Sequence, residues 1–229
     1  MVQNLRLHQE VLLLALRDDK GTFSGGMYLY SIAGAMVSEL LLQERIVAND
    51  DKKQSVAVID EQSTGDPLLD ELLGMIGGSK KTQGIQHWVY KAAGISKLQH
   101  RIANQLCDLG VLRHDEKKIL WLFTQQTYPE LDGTCEDAVR ARMGHVMFDE
   151  SVKPDARTAV LIALASHGGL MRANFAPDEL RQHKARIESL ANGDILAAGA
   201  TQAAIQAIQS AILVATIIPV ITTTAATSH

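Results

Sequence analysis

Residues 96–123 read SKLQHRIANQLCDLGVLRHDEKKILWLF, and their pattern predicts a helix that leads into a β-hairpin. Leu98, Ile102, Leu106 and Leu109 recur at the three-to-four-residue spacing that is typical of one face of an amphipathic helix. Gly110 follows, and glycine suits the left-handed turn that ends many helices. We therefore expect the helix to end there and the hairpin to begin.

The hairpin is predicted from the residues after this glycine. We expect a strand at 111–112, a charged turn at 114–118 and a return strand at 119–123. Lys97 and Arg101 lie one helical turn apart on the same side of the helix, and Trp121 lies in the second arm of the hairpin. Cations beside an amphipathic aromatic ring suit an anionic surface, either lipid headgroups or nucleic acid. The alternative is a solvated helix face with a tryptophan in the core.

Composition narrows the choice of function. The 229 residues carry a net charge of -4 with a pI near 6.0, which argues against a dedicated nucleic-acid-binding protein. Cys107 and Cys135 are the two cysteines, too few for a disulfide framework, so we expect a reducing setting. The first residues do not have the layout of a signal peptide. We therefore expect a cytoplasmic protein.

The rest of the chain is predicted to be mostly helical. A helix start is clearest at Asp66 and Pro67, because aspartate caps free amides and proline fits the first helical position. A short hairpin is expected around 46–59. Helices are predicted at 4–17, 27–43, 67–76, 83–93, 135–148, 155–166, 177–191 and 196–218. The prediction is a mainly α protein, a single compact multi-helix domain over residues 1–229 with one or two small β-hairpins; the helix–hairpin element spans 96–124.

Residues 211–221 are almost wholly apolar and form the one candidate for a membrane span. A membrane-spanning helix needs roughly 20 consecutive apolar residues, and glutamines precede this run while Pro219 lies within it. We therefore expect a buried helix and no membrane span.

Motifs for catalysis and metal binding give little support for an enzyme. The eight histidines do not form a zinc-binding pair on a helix, and no serine or cysteine lies in a recognisable nucleophile motif. The glycine-rich stretch at 74–82 lacks the order of residues that a P-loop requires. No catalytic residue, metal site or cofactor is expected. Winged-helix DNA binding is the structural competitor, but the negative charge of the chain disfavours it.

Several stretches, taken together and in order, resemble the Golgi phosphoprotein 3 family. They are LHQEVLLLALRDDKGTF (7–23), AGAMVSELLLQERI (33–46), TGDPLLDELL (64–73), QHWV (86–89), LGVL (109–112) and LIALASHGGLMRANFAP (161–177). The resemblance implies a mostly helical domain that docks reversibly on membranes. It also implies phosphatidylinositol 4-phosphate binding and glycosyltransferase retention, as in the eukaryotic members, together with an apolar hairpin that enters the bilayer and the formation of oligomers.

The headgroup pocket of the family uses a tryptophan and three arginines, and this sequence departs from that set. By alignment it has Phe23 or Ser24, then Ala33, then Ser96 and Gln99 at those positions. The phosphoinositide motif is therefore not carried over intact. The long charged N-terminal extension of the eukaryotic members also has no counterpart here, which leads us to expect a bacterial relative.

These observations lead to a hypothesis with two alternatives. The main hypothesis is a peripheral membrane protein that docks on anionic phospholipid, with Lys97, Arg101 and Arg113 at the headgroups. The apolar arm of the hairpin would enter the bilayer through Ile119, Leu120, Trp121 and Leu122. A homo-oligomer or a protein partner is expected to supply avidity. The alternatives are a cytosolic oligomeric protein-interaction scaffold without lipid binding and, with less support, nucleic-acid binding.

Overall fold

The computed structural model describes residues 5–17, 22–23, 28–119, 123–195 and 201–226. Within these ranges the chain is a compact, mainly α domain, as predicted, with three antiparallel strand pairs. The helices are α1 (Leu7–Ala15), α2 (Tyr28–Leu42), α3 (Pro67–Gly77), α4 (Ile85–Ala93), α5 (Leu98–Asp108), α6 (Thr134–Phe148), α7 (Ala156–His167), α8 (Met171–Asn174), α9 (Pro177–Gln182), α10 (Lys184–Ala191) and α11 (Gln202–Ala226). The strands are β1 (Leu16–Arg17), β2 (Thr22–Phe23), β3 (Ile46–Ala48), β4 (Val56–Val58), β5 (Asp115–Ile119) and β6 (Phe123–Thr127).

The core is organised around α2, which packs against α1, α4, α7 and α11. Most residues of α2 are buried, on every side of the helix. Its sequence is apolar nearly all round, and a helix of that kind is stable only in the interior of a protein. The second helix of the chain is therefore its central one.

The start of α3 has the predicted capping geometry. Asp66 has an extended backbone, and its carboxylate accepts hydrogen bonds from the amides of Leu68 (2.9 Å) and Leu69 (3.0 Å). Pro67 occupies the first turn, where its missing N–H costs no hydrogen bond. Asp155 caps α7 in the same way, through the amide of Thr158 at 2.9 Å.

Two strand pairs lie where hairpins are predicted, and a third joins Leu16–Arg17 to Thr22–Phe23. The predicted charged turn at 114–118 is wrong, because residues 115–119 form β5 and pair with 123–127. The error has a physical cause: strand preference depends on cross-strand neighbours more than on residue type. Here Glu116 lies opposite Gln126, whose amide donates a 2.9 Å hydrogen bond to the Glu116 carboxylate.

Two helical segments differ from the prediction. The predicted helix at 177–191 is interrupted at His183, whose ring packs against Phe148 with ring centroids 5.2 Å apart. The predicted helix at 196–218 is described from Gln202 onward, and it continues past Pro219 to Ala226. The first part of α11 is buried against α2 and α7. Among the described residues, no helix has both the length and the apolar character that a bilayer crossing requires.

Candidate functional site

A solvent-open groove of about 620 Å³ lies between α5 and the β5–β6 hairpin. Its lining is mostly polar and comes from both elements: Lys97, Gln99, His100 and Asn104 from α5 and its N-terminal end, and His114, Gln126 and Tyr128 from the hairpin. We call this surface the α5–hairpin groove.

A tight connection between helix and hairpin positions the two walls of the groove. Gly110 has φ +70°, which allows the chain to reverse directly after α5. The amide of Val111 then donates to the carbonyl of Leu106 at 2.9 Å, and the amide of Leu131 donates to the carbonyl of Val111 at 3.0 Å. Because these bonds join the end of α5 to both arms of the hairpin, the two walls are held in a fixed relation at the base of the groove.

Lys97 lines the groove and has an unusual backbone conformation. It precedes α5 with φ 53° and ψ 32°, in the left-handed region that residues other than glycine rarely adopt. Its side chain is exposed and makes no ion pair with any residue that the structure describes. Backbone strain tends to cluster at binding sites, and here it coincides with an exposed cation that lines a groove.

Two histidines meet around Tyr128 in the wall of the groove. The hydroxyl of Tyr128 lies 3.0 Å from Nδ1 of His100, and the imidazole of His114 stacks on the phenol ring with centroids 5.3 Å apart. The Nε2–H of His114 donates to the side-chain oxygen of Gln126. Since the Gln126 amide nitrogen donates to Glu116, the amide is oriented with its oxygen toward His114.

The electrostatics of the groove favour the neutral form of His100 in the absence of a ligand. Burial lowers the pKa of His100, and the charges of Lys97 and His114 lower it further. Burial also raises the pKa of Tyr128, so the phenol keeps its proton. The groove therefore presents a lysine, two imidazoles and several further hydrogen-bonding groups.

The other two cations predicted to meet headgroups have carboxylate partners. The guanidinium of Arg101 lies 2.7 Å from a carboxylate oxygen of Glu71 in α3. Arg113 makes a two-pronged contact with Asp115, at 2.7 to 3.1 Å. Of the three predicted cations, Lys97 is the one that lines the groove.

One of the four predicted membrane-inserting residues lies within the described part of the hairpin. Ile119 is the last residue of β5 and pairs with Phe123. Leu120, Trp121 and Leu122 lie outside the described residues.

Sequence reasoning did not single out the histidines or Tyr128 as site residues. One signal was present, because His100 follows Lys97 by three residues and three-residue spacing places side chains on the same helix face. The contribution of His114 and Tyr128 depends on the register of β5 and β6, which was not predicted. Within the described ranges, no cluster of three or more histidine, cysteine or acidic side chains could hold a metal ion.

With this geometry established, comparison with known proteins identifies the family. The model of the family described as Golgi phosphoprotein 3 (GPP34) matches residues 7–208. The chain belongs to the Golgi phosphoprotein 3 family. The match covers every element from α1 into α11 and includes the whole α5–hairpin groove.

Curated relatives in the Golgi phosphoprotein 3 family include two proteins named vacuolar protein sorting-associated protein 74. The one from Eremothecium gossypii is 31% identical over 170 residues, covering 65% of this chain and 51% of the relative. The one from Schizosaccharomyces pombe is 28% identical over 172 residues, covering 66% of this chain and 50% of the relative. The aligned region thus spans about half the length of these relatives. Both are fungal, so they give no support to the expected bacterial origin.

The positions aligned with the Golgi phosphoprotein 3 headgroup pocket are dispersed in this fold. Ala33 is fully buried in α2, whereas Gln99 lines the groove and Ser96 is exposed at its edge. Phe23 belongs to β2, and Ser24 lies outside the described residues. Ala33 therefore has no access to a ligand in the groove.

Proposed function

We propose that this protein is a peripheral membrane-binding member of its family that docks on anionic phospholipid through the α5–hairpin groove. The observation that carries the proposal is that the exposed Lys97 lines an open polar groove, without an ion-pair partner among the described residues. A phosphate group in the groove would meet this ammonium and the hydrogen-bonding groups of the walls. The role is one of binding and sorting rather than catalysis, as the name of the fungal relatives suggests for them.

The hairpin supplies the second part of the proposed docking mode. Ile119, Leu120, Trp121 and Leu122 form an apolar stretch next to the groove in sequence, and tryptophan is favoured at the level of the headgroups. Lys97, Arg101 and Arg113 add about 1 kcal/mol each near an anionic surface, less where a carboxylate already neutralises the cation. Such docking is reversible, and avidity from a homo-oligomer or a protein partner would strengthen it.

Vesicle flotation tests the electrostatic part of this proposal. The wild-type protein should float with phosphatidylcholine vesicles that contain phosphatidylglycerol or phosphatidylinositol 4-phosphate, and float much less with pure phosphatidylcholine. Lys97→Gln should weaken binding about fivefold, since one cation contributes about 1 kcal/mol. Lys97→Gly should do the same without backbone strain, because glycine accepts the left-handed conformation.

Lys184→Gln is the matched control, because Lys184 lies on α10, which packs mainly against α7, α6 and α9. It removes the same charge away from the groove and should bind as the wild type does. Equal flotation of all variants with neutral and anionic vesicles would contradict the role of the groove.

Tryptophan fluorescence tests the hairpin. Trp88 is buried, and its indole nitrogen has no hydrogen-bond partner among the described residues, so Trp88→Phe should preserve the fold. In that variant Trp121 is the one remaining tryptophan. Its emission should shift to shorter wavelength when anionic vesicles are added. An emission that changes with protein concentration and not with vesicles would contradict membrane insertion.

That last outcome would support the alternative, a cytosolic oligomeric scaffold. Leu109 and Leu131 favour it, because both are apolar and substantially exposed near the base of the hairpin. Sedimentation with and without vesicles separates the two functions. A stable oligomer that fails to bind any vesicle would identify the scaffold.

A further inference from the structure

We propose that His100 and His114 make phosphate binding in the α5–hairpin groove dependent on proton uptake, so that the protein docks more strongly at mildly acidic pH. This inference rests on the proposed function, since it concerns the regulation of the same site. Its ligand is the phosphate of a lipid headgroup at a membrane surface.

The geometry provides two proton acceptors at one place. His100 and His114 contact Tyr128 from two sides, one through a 3.0 Å hydrogen bond and the other through ring stacking. Both imidazoles line the open groove, so an anion bound there would lie near both rings. Arginine keeps its charge at all physiological pH values, whereas histidine changes charge between about pH 5 and 8.

The charged groups near the two imidazoles determine whether phosphate binding strengthens or weakens as the pH falls. From α5, Lys97 acts on His100, and Cys107 lies near Tyr128 with Asp108 beside it. From the hairpin, His114 faces His100, while Glu116 reaches His114 only through the amide of Gln126. Asp115 is engaged by Arg113. Lys97 and His114 both disfavour protonation of His100.

Mutual repulsion therefore opposes protonation of the empty groove. Burial, Lys97 and His114 lower the pKa of His100. A bound phosphate would reverse this effect because it lies among three cationic groups and stabilises the charged form of each imidazole. By linkage, a ligand that raises a pKa binds more tightly as the pH falls through that range. Each proton taken up on binding contributes up to about tenfold in affinity per pH unit.

Vesicle binding measured as a function of pH tests the inference. The probe is phosphatidylcholine vesicles containing phosphatidylglycerol, whose phosphodiester keeps a single negative charge across the range. The wild-type protein should bind about tenfold or more tightly at about pH 5.5 than at about pH 7.5. The double variant His100→Gln, His114→Gln should lose most of this dependence and retain the weaker binding seen at the higher pH.

His145→Gln is the matched control, because His145 is an exposed histidine on α6 that does not line the groove. It should keep the pH profile of the wild type. His114→Gln alone changes an exposed side chain, so it provides a folded variant with a reduced slope even where the double variant is unstable. Proton NMR of the wild type adds a direct readout: sulfate should raise the midpoint at which the His100 and His114 ring signals titrate.

The outcomes separate this inference from the proposed function. A wild-type protein that binds anionic vesicles equally at both pH values would overturn the inference and leave the docking function intact. A pH dependence that survives in the double variant would also overturn it. Failure to bind anionic vesicles at any pH would overturn both. Sulfate binding with the expected pH slope but without vesicle binding would overturn the assignment to a lipid headgroup.

Discussion

The buried carboxylate of Glu39 and the partly buried guanidinium of Arg157 form an ion pair between α2 and α7, with Nη1 of Arg157 at 2.9 and 3.2 Å from the two oxygens. The Leu7 amide also donates to Glu39, at 2.8 Å. Burial opposes the charge on Glu39, but Arg157 and the Leu7 amide outweigh it and lower the pKa of Glu39. The ion pair and the Leu7 hydrogen bond therefore connect the start of α1 to α2 and α7.

Breaking this pair should destabilise the protein strongly. Arg157→Met leaves the Glu39 carboxylate, which is 3% exposed, without its main counter-charge. Removing one partner of a buried pair typically costs about 3–5 kcal/mol, so we expect a loss of that order in urea unfolding. Arg181→Met is the control, because its pair with Asp178 is exposed and should contribute less than about 1 kcal/mol. Equal losses of unfolding free energy in the two variants would show that the Glu39–Arg157 pair stabilises the protein no more than an exposed pair does.

The contact between His8 and Asp66 should make the free energy of unfolding depend on pH. Burial opposes the charged form of Asp66, but the hydrogen bond and charge of His8 and two backbone amides lower the pKa of Asp66 to about 2. Because the folded-state pKa is depressed, the stabilisation is present above the ordinary aspartate pKa of 3.8 and is lost as the pH falls toward 2.

Asp66→Asn should therefore lower the free energy of unfolding by about 2 kcal/mol at neutral pH. The difference from the wild type should shrink between about pH 4 and pH 2, where the wild type itself loses the stabilisation. Chemical denaturation at several pH values measures it. Asp178→Asn serves as the control, since Asp178 is exposed on α9. A difference that stays constant down to about pH 2 would contradict the assignment.

Much of the fold could be predicted because its helix signals are local. Asp66 and Pro67 start α3 through interactions within one turn, and Gly110 ends the α5 region through its own backbone freedom. The central position of α2 follows from its apolar character on all sides. Each of these signals acts over a few residues and requires no knowledge of the tertiary structure.

The groove could not be predicted in the same way because its residues meet through the register of a polar hairpin. Strands β5 and β6 contain mainly charged and polar residues, so they lack the alternation that identifies a half-buried strand. The hairpin brings His114 against Tyr128, and the turn after α5 brings both against His100. These contacts depend on pairing across the hairpin, which neither residue type nor local spacing specifies.

The side chain of Gln206 joins α11 to the edge of β3 through two hydrogen bonds, so its loss should destabilise the protein. Its oxygen accepts from the amide of Ala48 at 3.0 Å, and its nitrogen donates to the carbonyl of the same residue at 2.5 Å. Gln206→Leu keeps the volume but leaves both buried backbone groups unpaired, at a cost of about 1–3 kcal/mol each. We expect a loss of at least about 2 kcal/mol in thermal or urea unfolding. Gln202→Leu, at an exposed position one turn earlier, should change stability by less than about 0.5 kcal/mol.

Substitution by alanine should have opposite effects on stability at two helical glycines, Gly34 and Gly74. A Cβ added at Gly34 in α2 would lie 2.5 Å from Cγ2 of Val214 and 3.0 Å from Cδ2 of Leu164. Valine is stiff at its first side-chain torsion, so it cannot swing aside freely, and overpacking a core typically costs about 1–3 kcal/mol. Alanine also gains about 1 kcal/mol over glycine in a helix, which offsets part of that cost.

Gly34→Ala should therefore be net destabilising, by up to about 2 kcal/mol, because the added methyl group would push α2 away from Val214 of α11. Gly74→Ala in α3 is the matched control, since a Cβ there meets nothing within 4 Å and the position is exposed. It should stabilise the protein by about 0.5–1 kcal/mol through helix propensity alone. Thermal unfolding followed by circular dichroism compares the two variants directly. If both substitutions stabilise the protein, the contact between Gly34 and Val214 is looser than the structure indicates, and α11 packs less closely on α2.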